Sequence, residues 1–159
     1  MKTSASLLTL FLLLAGCSSI GPAGVVWTSD DRQVTVFASD GMATDSRTYL
    51  FDRSTRSLSG KWKELFQDEK HSELLLSSDQ AAQLMELLAR VRLESTHNGG
   101  CANDAPVMGL HVMKSSGETR HYDTRPELND CGSPRTFAVE EDVQAVLDAC
   151  TALLPAPSP

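Results

Sequence analysis

From His71 to Arg92 the chain reads HSELLLSSDQAAQLMELLARVR, and its hydrophobic period changes within these residues. His71 to Leu76 has the length and apolar content of a short buried strand. Beyond it, Leu84, Leu87, Leu88 and Val91 recur at i, i+3, i+4 and i+7, which is one stripe of an α-helix. Ser77 followed three residues later by Gln80 matches a capping box, so the spacing predicts a helix from about Ser78 to Arg92.

Upstream of that helix the reading is strand. Gln33 to Ser39 alternates, with Val34, Val36 and Ala38 on one side, and Arg47–Asp52 and Leu58–Leu65 flank Arg53-Ser54-Thr55-Arg56 as a hairpin would. Downstream, Met108, Leu110 and Val112 alternate, Ser115-Ser116-Gly117-Glu118 supplies a turn, and Thr119 to Asp123 returns as a second hairpin. The last element sets Val139, Val143, Val146, Leu147, Cys150 and Leu154 on one stripe, with Glu140, Glu141 and Asp142 near the positive end of the helix dipole. The expected fold class is α+β: an antiparallel sheet of two hairpins plus single strands, with two amphipathic helices, in the order strands, helix, hairpin, helix.

The amino end carries a different kind of signal. Lys2, the apolar run Leu7–Leu14 and the small residues after it have the anatomy of a secretory leader, and the run is about half the roughly 20 residues that a spanning helix needs. Leu14-Ala15-Gly16-Cys17 resembles the lipobox of bacterial lipoproteins. The resemblance implies that the Cys17 thiol receives a diacylglyceryl group, that residues 1–16 are removed, and that the new amino group is acylated. One acyl chain holds a protein to a membrane only marginally, whereas two or three together anchor it. Ser18 stands where an Asp resembles the inner-membrane retention signal, so in a Gram-negative source the expected place is the outer membrane, facing the periplasm. Residues 17–24 read as the lipidated cysteine and a flexible tether rich in Ser, Gly and Pro, 25–154 as a single domain, and 155–159 as a frayed Pro-rich tail.

Composition narrows the function classes. The 159 residues include 14 Lys plus Arg against 21 Asp plus Glu, a formal net charge of −7. No basic stripe is present to neutralise phosphates, which argues against nucleic acid as a partner. The hydrophobic share of 41% and the 5 Phe, 2 Trp and 2 Tyr are enough for a packed core. In so small a domain Trp27 and Trp62 read as core or core rim rather than as a binding surface.

With Cys17 committed to lipid, Cys101, Cys131 and Cys150 remain in an oxidising compartment. Cys101 and Cys131 lie in polar, turn-rich loops on either side of the second hairpin, and the expectation is that they form a disulfide worth roughly 3 to 4 kcal/mol. Cys150 is in phase with the apolar stripe of the last helix and reads as a buried inert thiol. Pairing of Cys150 with Cys101 or with Cys131 is the alternative.

Catalytic motifs are scarce. The chain has no G-x-S-x-G elbow, no H-E-x-x-H pair, no phosphate-cradling G-x-x-x-x-G-K and no C-x-x-C. The expectation is therefore a non-catalytic module without a cofactor. The one cluster that could do chemistry is His111, His121 and Asp123. If the second hairpin has a three-residue loop, the two histidines stand across from one another with the carboxylate two residues along on the same face, a donor set able to ligate zinc or copper in a small metal-binding or hydrolytic domain. Asn98–Asp104, NGGCAND, mixes calcium-type donors but lacks EF-hand spacing and reads as a turn stapled by Cys101.

From Leu75 to Leu154 the layout resembles that of emfourin-like inhibitors of thermolysin-like metalloproteases. The shared features are LLLSSDQAAQLMELL entering a helix, Asp104-Ala105 before a strand, a hairpin turn carrying Gly117, and a closing helix. The resemblance implies a non-catalytic module that binds a protein. An envelope assembly factor is the other expectation compatible with a lipid-anchored binding domain.

Overall fold

The computed structural model describes residues 24, 26–40, 44–96, 107–124 and 135–157. Four strands come first: β1 (Asp31–Ser39), β2 (Ser46–Asp52), β3 (Ser57–Lys63) and β4 (Lys70–Leu75). Helix α1 (Ser78–Arg90) follows, then β5 (Leu93–Thr96), β6 (Val107–Lys114), β7 (Thr119–Asp123), β8 (Arg135–Ala138) and helix α2 (Glu140–Leu153). Six strands form an antiparallel sheet in the order β4-β3-β2-β1-β6-β7, and β5 pairs with β8 in a second, two-stranded sheet. The fold is α+β with an antiparallel sheet and two helices.

Register explains which face is buried. Val34 stands between Phe51 and Val112, and Val36 stands between Tyr49 and Leu110, so each row across the sheet is apolar on the same side. Helix α2 packs on β1 and β6 with α1 beside it, and Val143, Val146, Leu147 and Cys150 of α2 are buried with Ala81, Leu84 and Leu88 of α1. Tyr49 ties the layers together: its hydroxyl donates to Thr151 Oγ1 (3.0 Å) and accepts from Trp62 Nε1 (3.2 Å). The Trp62 ring lies back across its own strand, where a Cβ at Gly60 would come within 2.3 Å of it, and this is why Gly60 carries no side chain. Both tryptophans belong to the core, at 4% exposure for Trp27 and 8% for Trp62.

The turns follow their local chemistry. In the second hairpin, Gly117 adopts φ +89° and its N–H donates to Lys114 O (3.0 Å), closing a three-residue loop with glycine at the left-handed position. Between β2 and β3, Asp52 accepts hydrogen bonds from Ser54, Thr55 and Gln33. Burial pushes its carboxyl up, but these donors together outweigh burial and hold it well below the usual carboxylate range. At the start of β1 the fully buried Asp31 accepts from the backbone and hydroxyl of Thr28 and from Arg120 Nη2 (2.6 Å), which fastens the entering chain to β7.

Several expectations from the sequence need correction. His71–Leu76 is not a buried strand: β4 is the edge of the large sheet, with His71, Glu73 and Leu75 exposed and only alternate residues turned inward. The strand expected to reach Leu65 stops at Lys63, leaving Leu65 half exposed in the following loop. Helix α1 ends at Arg90 rather than Arg92, because Val91 turns to extended backbone (φ −62°, ψ 117°) while its side chain stays buried. The second sheet, β5 with β8, was not expected at all.

Candidate binding surface

The residues that alternate with the core rows point to the other side of the large sheet. Thr35 and Phe37 of β1 are flanked by Thr48 and Leu50 of β2 and by Gly109, His111 and Met113 of β6. Lys61 of β3, His71 of β4 and His121 and Asp123 of β7 extend this face toward both edges. Both helices pack on the opposite side, so among the described residues no element covers these side chains.

At the centre lies an aromatic and imidazole cluster. His111 faces His121 across the β6–β7 ladder, with ring centroids 4.3 Å apart and an interplanar angle of 69°. Phe37 lies on the other side of His111 at 4.8 Å. Gly109 makes room for Phe37: a Cβ there would stand 2.8 Å from the ring and 2.7 Å from the Tyr122 carbonyl oxygen. Burial is the largest influence on His111 and lowers its pKa, the nearby His121 lowers it further, and Asp123 pulls the other way. The net direction is down.

The histidines do meet in the way the hairpin spacing requires. They meet edge to face, however, and among the described residues no group of three or more His, Cys, Asp or Glu side chains is arranged to hold a metal ion. His111, His121 and Asp123 stand as polar groups on one face of the sheet. Leu50 is 37% exposed and Met113 partly exposed around it, and at the β4 edge Glu69 Oε1 lies 2.9 Å from His71 Nε2 and 3.8 Å from Lys61 Nζ. This face thus combines Phe37, Leu50 and Met113 with two imidazoles and carries charged side chains toward its edges.

Of the cysteines, Cys150 lies on the buried face of α2 with a free thiol whose pKa burial pushes up to about 12, so it is inert as a nucleophile. Cys17, Cys101, Cys131 and the Asn98–Asp104 segment lie outside the described residues. No helix of the described residues is long and apolar enough to cross a membrane. No family model, no curated protein and no solved structure matches the chain.

Sequence reasoning placed the histidines but missed Phe37 and Leu50 as surface groups. The available signal was the alternation itself: once Val34 and Val36 are assigned to the core, Phe37 must face the other way. Nothing in the sequence marked it as the neighbour of His111, because that contact depends on β6 pairing with β1.

Proposed function

We propose that this chain is a lipid-anchored protein of the cell envelope, held by Cys17, whose α+β domain is a non-catalytic module that docks a protein partner through the uncovered face of its large sheet. The domain is read as strands, helix, hairpin and helix between the tether and the Pro-rich tail. The observation that supports docking most is the uncovered cluster Phe37–His111–His121 with Leu50 and Met113 around it. Such groups cost solvation free energy unless something covers them.

The partner is expected in the same compartment. A thermolysin-like metalloprotease is the class that the motif layout suggests. The test is capture from detergent-solubilised membranes of the native host, comparing the wild-type chain with the double variant Leu50→Lys, Met113→Lys, both shown to be folded by circular dichroism. The expected result is a discrete protein retained by the wild type and lost by the variant. Equal retention by both, or none by either, would remove the sheet face from the account.

A further inference from the structure

One edge of the large sheet ends in unpaired backbone. Strand β4 closes the order β4-β3-β2-β1-β6-β7, whereas β7 at the other edge has β8 beside it. The chain reaches β4 from β3 through a tight turn, the Phe66 knuckle, where Gln67 N–H donates to Glu64 O (3.0 Å) and Phe66 is 98% exposed. Leu76 N–H donates to Arg56 O (2.9 Å), and the same register sets Leu74 opposite Leu58, Ser72 opposite Gly60 and Lys70 opposite Trp62. In an antiparallel pair, opposed residues alternate between exchanging hydrogen bonds and exchanging none. Lys70, Ser72 and Leu74 therefore turn their N–H and C=O groups to β3, and His71, Glu73 and Leu75 turn theirs outward. No described strand pairs with those outward groups.

The side chains decide which strand can be added there. Proteins guard such edges with proline, bulges or charge. β4 has no proline, and its pairing with β3 has no register shift, so its guard is the charge of Lys70, His71 and Glu73. An incoming strand has to match that pattern, and a second copy of β4 does. When two copies run antiparallel about a two-fold axis at Ser72, His71 of each stands opposite Glu73 of the other, and the stem of each Lys70 lies against Leu74. Moving the axis to His71 opposes Glu69 to Glu73, and moving it to Glu73 opposes the two Glu73 side chains, both unfavourable. The Ser72 register also matches the backbone, since His71 and Glu73, both with outward groups, exchange four hydrogen bonds across the axis. Glu73 has no ion-pair partner among the described residues. The paired copy sets it in a row with His71 and Lys61, where Glu69 lies against Nε2 of His71 and leaves Nδ1 to the incoming carboxylate.

We infer that the chain forms a two-fold dimer by antiparallel pairing of β4 with β4 of a second copy, centred on Ser72. Two six-stranded sheets join edge to edge, and their uncovered faces become continuous, because an axis perpendicular to the sheet keeps both on one side. A six-residue strand from each copy makes a small interface, so the dimer is a weak one, with a Kd on the order of 10 µM. It does not depend on what occupies the sheet face.

The test is sedimentation velocity of the full chain purified in detergent, from about 1 to about 100 µM. The expected result is a reversible monomer–dimer equilibrium within that range. Glu73→Lys and His71→Glu, each shown to be folded by circular dichroism, should weaken association at least about tenfold, since each disrupts two symmetric pairs per dimer. The double variant restores the opposed charges and should return Kd to within about threefold of wild type. Ser72→Cys should form a disulfide between the two substituted positions, because residues on the axis make a non-hydrogen-bonded pair with Cα atoms about 4.5 Å apart. Lys70→Cys, which lies off the axis, should not. A monomer at every concentration, association unchanged in Glu73→Lys, no recovery in the double variant, or linkage through Lys70→Cys in place of Ser72→Cys would each overturn the inference. Linkage of Ser72→Cys in the native host to a different protein instead of a second copy would overturn it as well.

Discussion

His111 is the side chain on which the chemistry of the sheet face turns. It packs between Phe37 and His121, and its protonation is disfavoured in the folded state by burial first and by the second imidazole next, with Asp123 opposing both. The unfolded chain therefore binds more protons than the folded chain once the pH drops toward the ordinary histidine value of about 6.5. Stability from this group is level above that pH, falls as the pH decreases through it, and stops falling below the depressed folded value. Urea midpoints measured at several pH values between 8 and about 5 should show this decline, and His111→Gln should flatten it. An identical slope in the variant would mean that the imidazole contact is not held in solution. Cys150 shows the opposite outcome for a group that could have been reactive, since a thiol pushed up to about 12 neither titrates nor attacks at neutral pH.

Among the elements, the two helices begin differently. Ser77 Oγ accepts from Gln80 N–H (3.2 Å) while Gln80 Oε1 accepts from Ser77 N–H (2.9 Å), which completes the capping box at the start of α1. Helix α2 has Val139 at its cap and no side-chain acceptor there. Its start is held instead by Asp142, which accepts from Arg92 N–H (2.9 Å) and Nε (2.8 Å), and by Val139 N–H donating to Arg92 O (3.0 Å). Ser77→Ala should lower stability by about 1 kcal/mol, seen as a lower urea midpoint with an unchanged slope. No change would show that α1 is held by packing alone.

That contrast also shows what a sequence can disclose. A capping box is written in four adjacent residues, and the three-residue hairpin loop that sets His111 opposite His121 is written in one turn. The Arg92–Asp142 link spans fifty residues, and β5 and β8 are four residues each, too short to display a period. Their pairing is decided only when α1 and α2 come together. The same holds for the edge position of β4: His71–Leu76 is apolar enough to read as buried, and only the strand order exposes half of it. Phe66 was read past because a strand that continues to Leu65 hides the turn after it.

At the scale of the whole molecule the large sheet has one side under helices and one side that no element among the described residues covers, and the Phe66 knuckle lies at the opposite end of the sheet from the point where the chain enters β1. Backbone hydrogen bonds place that entry beside Arg53 and Ser115, whereas the knuckle follows the Lys63 end of β3, which is paired with Ser46 and through it with Ser39. The proposed docking on the sheet face is meaningful only in the compartment where the chain resides, and the membrane capture experiment presupposes the proposed anchor. The measurement that bears most directly on the account is thus mass spectrometry of the amino-terminal peptide of the protein made in its native host. The account predicts a chain beginning at Cys17 and carrying thioether-linked diacylglycerol with an acylated amino group. An unmodified Cys17 thiol, or residues 1–16 still attached, would contradict it.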